Sequence, residues 1–280
     1  MIADRTQPSH PKNNPTDPRN LRIHRQPPAR DVPYVPTDEP VVAAMLRFAG
    51  VSQNDVVYDL GCGDGRIVTA AAKHCGARGV GVDIDPQRIA EARERAAKAR
   101  VGHLAQFHCQ SFFDTDFRDA TVVMLYLLPV INAKLRPRLL SELRPGTRIV
   151  ANYFGMGDWQ PDMQAHAHHR VLHQWLIPAR VSGTWNCVID LGPQNRKRMT
   201  LRLTSHYQIV HGTAQLGRNP VPIAAARLFG DRLTFKLTGL HPPGFPTRFN
   251  CQINGNILRG SCHCDAIEHS PIPWGGLKQH

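Results

Sequence analysis

Negative charge is what this chain has least of. It carries 22 acidic residues against 34 lysines and arginines, for a formal net charge of +12 and an isoelectric point near 9.8. Such a balance suggests a polyanionic neighbour: nucleic acid, an anionic membrane surface or an acidic protein face. No apolar run is long enough to span a bilayer. The N-terminus has no apolar core segment and does not read as a secretory signal. The seven cysteines are scattered and odd in number, which argues against a disulfide framework. With no export signal they read as reduced thiols, and the expected location is cytoplasmic. Strict internal repeats are missing. At 280 residues and 41% hydrophobic content, the chain has ample material for a real core.

Three segments follow from the patterning. Residues 1–30 are rich in proline and polar residues and read as a disordered basic arm. Its Arg19, Arg22, Arg25 and Arg30 could touch the phosphates of RNA or meet an acidic partner. Residues 31–180 alternate strands with helices. Thr37 is placed to cap a first helix carrying Val42, Met45, Leu46 and Ala49 on one face, stopped by Gly50. Strands are expected at 56–60, 80–83, 105–109, 121–125 and 148–152, with helices at 66–75, from Asp85-Pro86 onward, and at 135–143. This grammar predicts an α/β fold, a doubly wound and mostly parallel Rossmann-like sheet. After about residue 170 strand-like runs follow one another without helices, and Gly230-Asp231 and Asn254-Gly255 are hairpin-type turns. The first run or two would complete the parallel sheet. Residues 181–280 are expected to form a small antiparallel all-β domain, a barrel or a sandwich.

The chemistry concentrates in Val56-Val57-Tyr58-Asp59-Leu60-Gly61-Cys62-Gly63-Asp64-Gly65. This reads as a buried strand ending in an acid, a tight glycine turn, and a helix. A second acid, Asp83, ends the next strand. A dinucleotide fingerprint would need a glycine where Arg66 stands, and Asp59 and Asp64 would repel a pyrophosphate. The same carboxylates suit the ammonium of a methionine moiety. Gly61 and Gly63 let the backbone approach a ligand closely, and Asp83 is placed to accept both ribose hydroxyls. Together these features point to S-adenosylmethionine (SAM), and so to methyl transfer.

Residues 32–162 resemble class I SAM-dependent methyltransferases. More narrowly, they resemble the small seven-strand lysine methyltransferases acting on the ATP synthase c subunit and the adenine nucleotide translocase. The matching segments are Val32-Pro33-Tyr34-Val35, Asp59 through Val68, Leu127-Leu128-Pro129 and Trp159-Gln160-Pro161. The resemblance implies that Asp59, Gly61, Gly63 and Asp83 bind cofactor and that the Tyr34 region closes over it. Where superfamily members often place an adenine-binding acid after strand three, this chain has Ser111. The C-terminal hundred residues extend past that family's compact domain; Gly183-Thr184-Trp185 and the hairpins that follow resemble lipocalin-like barrels.

On the acceptor side, Tyr126 could hydrogen-bond an incoming amine and Pro129 could fix the loop after strand four. Trp159 could line the entrance or staple the loop after strand five. No Asn-Pro-Pro-Tyr-type loop follows strand four, which argues against adenine N6 or glutamine-amide methylation, and no Pro-Cys dipeptide offers the nucleophile of cytosine C5 chemistry. Neither the cluster of His166, His168, His169 and His173 nor Cys262-His263-Cys264 has the spaced pairs of a zinc site, so no metal is expected. The expected function is N-directed methylation with a protein lysine as acceptor. A small molecule or RNA as acceptor, or a binding module that has lost catalysis, are the alternatives.

Overall fold

A computed structural model describes residues 35–192, 194–238, 245–264 and 271–279. The basic arm and Tyr34 lie outside the described residues.

The first sheet has seven strands in the order β3-β2-β1-β4-β5-β7-β6. Strands β1 (Val56–Leu60), β2 (Arg78–Asp83), β3 (Ala105–Cys109), β4 (Val122–Leu125) and β5 (Arg148–Asn152) pair in parallel. β6 (Met163–Ala167) and β7 (Arg170–Leu176) form a hairpin that adds antiparallel to β5. Helices α1 (Glu39–Ala49), α2 (Arg66–Cys75), α3 (Pro86–Lys98) and α4 (Pro129–Glu142) supply the covering layers. Val41, Val42, Met45, Ile67 and Ala71 pack with Val57, Met124 and Val150; Ile131, Leu135 and Leu139 pack with Leu60, Leu125 and Ile149. Alternate residues of β1, β4 and β5 thus face opposite layers, as the two-residue period of a strand requires.

Two helix boundaries differ from the sequence reading. Asp38, not Thr37, occupies the N-cap of α1; Thr37 is buried and its carbonyl accepts from Arg66 Nη1 at 2.7 Å. α4 begins at Pro129, six residues before the expected start. Proline is preset for a first helical turn, and Pro137 inside the helix forgoes one backbone hydrogen bond.

The second sheet runs β11-β10-β9-β8-β16-β15-β14-β13-β12. It comprises β8 (Gly183–Asp190), β9 (Arg196–His206), β10 (Ile209–Gln215), β11 (Pro220–Pro222), β12 (Ala224–Phe229), β13 (Arg232–Leu237), β14 (Thr247–Asn254), β15 (Ile257–Cys264) and β16 (Ile272–Lys278). β11 and β12 are two halves of one segment bent at Ile223. The first half pairs with β10 and the second with β13, while Ile223 N–H donates to Gly212 O at 3.0 Å. The sheet therefore closes on itself as an antiparallel barrel. Its interior is a packed core: the Phe235 and Phe249 rings stack at 4.8 Å, and Trp274 meets both edge to face. Side chains filling the lumen suit a barrel this small.

Barrel and first sheet meet at Trp159. This residue is 1% exposed, stacks on Tyr207 at 5.5 Å and donates from Nε1 to Gln208 Oε1 at 2.9 Å. Trp159 is thus shielded from solvent where the loop after β5 packs on the barrel. Replacing it by phenylalanine keeps an aromatic ring and removes one hydrogen bond. Denaturant unfolding of Trp159→Phe is expected to show a loss of about 1 kcal/mol.

Candidate active site at the carboxyl ends of the strands

All five residues of β1 are buried, and Asp59 is carried in with them at 3% exposure. Among the described residues, no cation and no hydrogen-bond donor meets its carboxyl. Burial, reinforced by the charges of Asp83 and Asp64, pushes its pKa up to about 8. A buried acid without a partner is costly, and a bound cation would relieve it.

The turn after β1 is built from left-handed glycines, with φ of 84° at Gly61, 50° at Gly63 and 72° at Gly65. Gly61 and Cys62 N–H both donate to Val82 O at 2.9 Å, which ties the turn to the end of β2. Gly63 N–H donates to Asp83 Oδ2 and Asp85 N–H to Asp83 Oδ1, each at 2.9 Å. Asp83 is thereby fixed beside the turn, and each oxygen keeps further lone-pair capacity. Gln110 N–H donates to Asp83 O at 3.0 Å, so the end of β3 joins the same rim. Ser111 follows it; its Oγ accepts Phe113 N–H at 3.1 Å and caps a short 3-10 turn, Phe112–Asp114.

Asp64 has a different setting from Asp59. Arg66 meets its carboxylate at 2.7 Å and Arg95 at 2.6 Å. Burial works to raise its pKa, but the Arg66 hydrogen bond and the two guanidinium charges outweigh it and hold the group below the ordinary carboxylate value. The charge that the sequence offers to a ligand ammonium is already met by the protein's own arginines. Asp64 braces α2 against α3.

On the far side of the rim, Tyr126 extends from β4 and Leu127 packs within 3.1 Å of the space a Cβ on Gly61 would fill. Pro129 opens α4. Sequence reasoning missed Tyr153, Phe154 and Arg170. Tyr153 follows β5 with a left-handed φ of 71° and is half exposed. Tyr126 and Phe154 stack at 6.1 Å, and Phe154 meets Tyr153 edge to face at 5.0 Å. The Arg170 guanidinium lies 5.7 Å from the Tyr126 ring centre and 5.5 Å from that of Tyr153. The available signal was the pair Tyr153-Phe154 directly after a strand end, since such ends carry ligand sites. Asn132 of α4 is fully buried and donates to Gly155 O at 3.1 Å, which holds the loop after β5 in place. Of the histidines noted above, His173 contacts Tyr153 O and Gln164; among the described residues no three metal-ligating side chains converge.

Residues 59–163 match the family described as ANTKMT methyltransferase domain. A protein-lysine N-methyltransferase of Saccharolobus islandicus (strain REY15A) is 49% identical over 131 residues, covering 46% of this chain and 81% of that protein. The chain belongs to this methyltransferase family. The Xenopus laevis lysine N-methyltransferase of the ATP synthase c subunit is 33% identical, over 47% of this chain and 57% of its own length. The adenine nucleotide translocase lysine N-methyltransferase of Mus musculus is 33% identical, over 50% and 60% respectively. The methyltransferase thus spans little more than half of those two relatives. Among solved structures, an RNA methyltransferase from Salinibacter ruber in complex with S-adenosyl-L-homocysteine is 48% identical, with a TM-score of 0.52 over 52% of this chain and 96% of that one.

SAM is the methyl donor of this enzyme, and the site fits it. Asp59 is a buried acid that no cation meets among the described residues, the glycine turn leaves room for close approach, and Asp83 presents a braced carboxylate at the rim.

Proposed function

We propose that this methyltransferase modifies the ε-amine of a protein lysine. When bound, SAM supplies the methyl group from its sulfonium. In this reading Asp59 takes the amino-acid ammonium, Gly61 and Gly63 lie against the cofactor, Asp83 accepts the ribose hydroxyls and the Ser111 hydroxyl reaches the adenine. Tyr126 and Tyr153 receive the acceptor amine, and Leu127, Leu128 and Pro129 exclude water from it. Methyl transfer is an in-line displacement, so alignment and dehydration are the enzyme's main tasks. A lysine ammonium of pKa about 10.4 must lose its proton first, and apolar walls favour the neutral amine.

The observation that carries this reading is the Arg170 guanidinium over two tyrosine faces at the carboxyl ends of β4 and β5. Rings that hold one cation can hold another. A lysine side chain displacing Arg170 would enter beside the glycine turn. The names of the three lysine methyltransferases support the same acceptor class, whereas the Salinibacter ruber relative is named for RNA.

The test is transfer of labelled methyl from SAM into a cell lysate, with proteins digested and searched for methyl-lysine. The expected product is methyl-lysine. Tyr126→Ala should lower kcat/KM for the acceptor by about tenfold, in line with loss of a desolvated cation–π contact, and leave the SAM dissociation constant unchanged. Label confined to RNA or to small molecules would overturn the lysine assignment.

A further inference from the structure

Residues 181–280 hold 11 of the 34 basic residues and only 4 of the 22 acidic ones. The charge looks scattered along the chain, but strand pairing assembles part of it. Across β15, β16, β8 and β9, the residues Arg259, Gly275, Val188 and Arg198 lie side by side in register. The next line on the same face is Ile257, Leu277, Asn186 and Thr200. Two-residue alternation puts both lines on the outer surface, because Leu258, Cys187 and Met199 between them point into the core. Ile257 is 38% exposed, Val188 40% and Leu277 62%. Three neighbouring aliphatic side chains thus face outward, with Arg259 on one flank and Arg198 and Arg202 on the other. Among the described residues none of these three arginines forms an ion pair; Arg202 meets only the neutral Gln215. Asp190, the acid on β8, is met by Arg196 at 3.5 Å.

Four adjacent strands make a patch roughly 15 Å wide. It has an aliphatic centre and a cationic rim. A folded nucleic acid would use the rim but has no need of the centre, and single-stranded binding draws on aromatic stacking platforms, which these two lines do not contain. An anionic bilayer uses both parts: arginines pair with lipid phosphates while aliphatic groups settle at headgroup depth.

We propose that this face of the barrel docks the enzyme on an anionic phospholipid membrane. The docking is independent of which acceptor is methylated.

The test is co-sedimentation of the full chain with vesicles of phosphatidylcholine alone and with about a third phosphatidylglycerol. Binding is expected only to the anionic vesicles and should weaken with salt. The triple variant Arg198→Glu, Arg202→Glu, Arg259→Glu should lose on the order of 100-fold in partitioning. Leu277→Ser with Ile257→Ser should lose about tenfold while keeping the salt dependence. All these positions are on the outer surface, and unchanged thermal unfolding verifies that the variants fold. Binding undiminished in the triple variant would assign the attraction to the N-terminal arm and overturn the proposal. So would RNA binding that the arginine changes abolish and the aliphatic changes leave intact, in the absence of vesicle binding.

Discussion

Asp59→Asn is expected to lower SAM affinity on the order of 100-fold or more and, at the same time, to raise the stability of the cofactor-free protein. The first effect follows from removing one member of a buried charge pair. The second follows from the pKa. In the folded protein burial pushes the Asp59 pKa up to about 8; in the unfolded chain it is about 4. A carboxyl raised on folding contributes stability that is fully present below its unfolded pKa and is lost as pH rises through the folded value. Asparagine does not titrate. Its thermal midpoint should therefore match that of the natural chain near pH 4 and exceed it increasingly toward pH 8. Calorimetric titration with SAM and thermal melts across this window check both halves. Equal SAM affinity in the two proteins would remove Asp59 from the site. A variant that melts lower at pH 8 would mean that its carboxyl has a partner in the fold.

Gly65→Ala is expected to be the most damaging single substitution in the turn. Gly65 precedes α2 with φ of 72°, which costs a residue with a Cβ about 1 kcal/mol. A Cβ there would lie 2.6 Å from both Ala92 Cβ and a Phe107 ring carbon. Ala92 has no flexible end to move, so α3 or the turn must shift. Overpacking of this kind costs about 1–3 kcal/mol. Together the loss is roughly 2–4 kcal/mol, a fall in thermal midpoint of roughly 5–15 °C. Gly102 offers the contrast, because nothing lies within 4 Å of a Cβ there. Gly102→Ala should melt close to the natural chain, and a similar fall in both would disconnect the effect from the turn.

What the sequence made legible was local. Strands β1 to β5 announce themselves as short apolar runs, and the glycine turn lies within ten residues of one strand end. The pairing of Asp64 was not legible, because Arg95 lies a full strand and helix further on. β6, reading Met163-Gln164-Ala165-His166-Ala167, lacks β-branched residues and is mostly exposed on the sheet edge, so neither composition nor alternation marks it. β16 was hidden by Pro273, Gly275 and Gly276, which argue against a strand in isolation. In the barrel those glycines are required: a Cβ on Gly276 would lie 2.5 Å from Cys187 Sγ, and one on Gly275 would lie 2.8 Å from Leu258 O. Barrel closure depends on one bent segment changing partners at Ile223, a long-range event with no local signature. The tyrosine pair of the acceptor side is likewise assembled from two different strand ends, with Arg170 arriving from an antiparallel strand between β5 and β6.

The central claim is that Asp59, buried and without a partner among the described residues, becomes charged when SAM arrives. Calorimetric titration of the natural chain with SAM near pH 7, in buffers of different ionisation heat, measures this directly. The predicted result is tight binding with proton release at pH 7 that fades as pH rises past about 8, the value to which burial pushes Asp59. SAM binding with no proton release at pH 7 would contradict it.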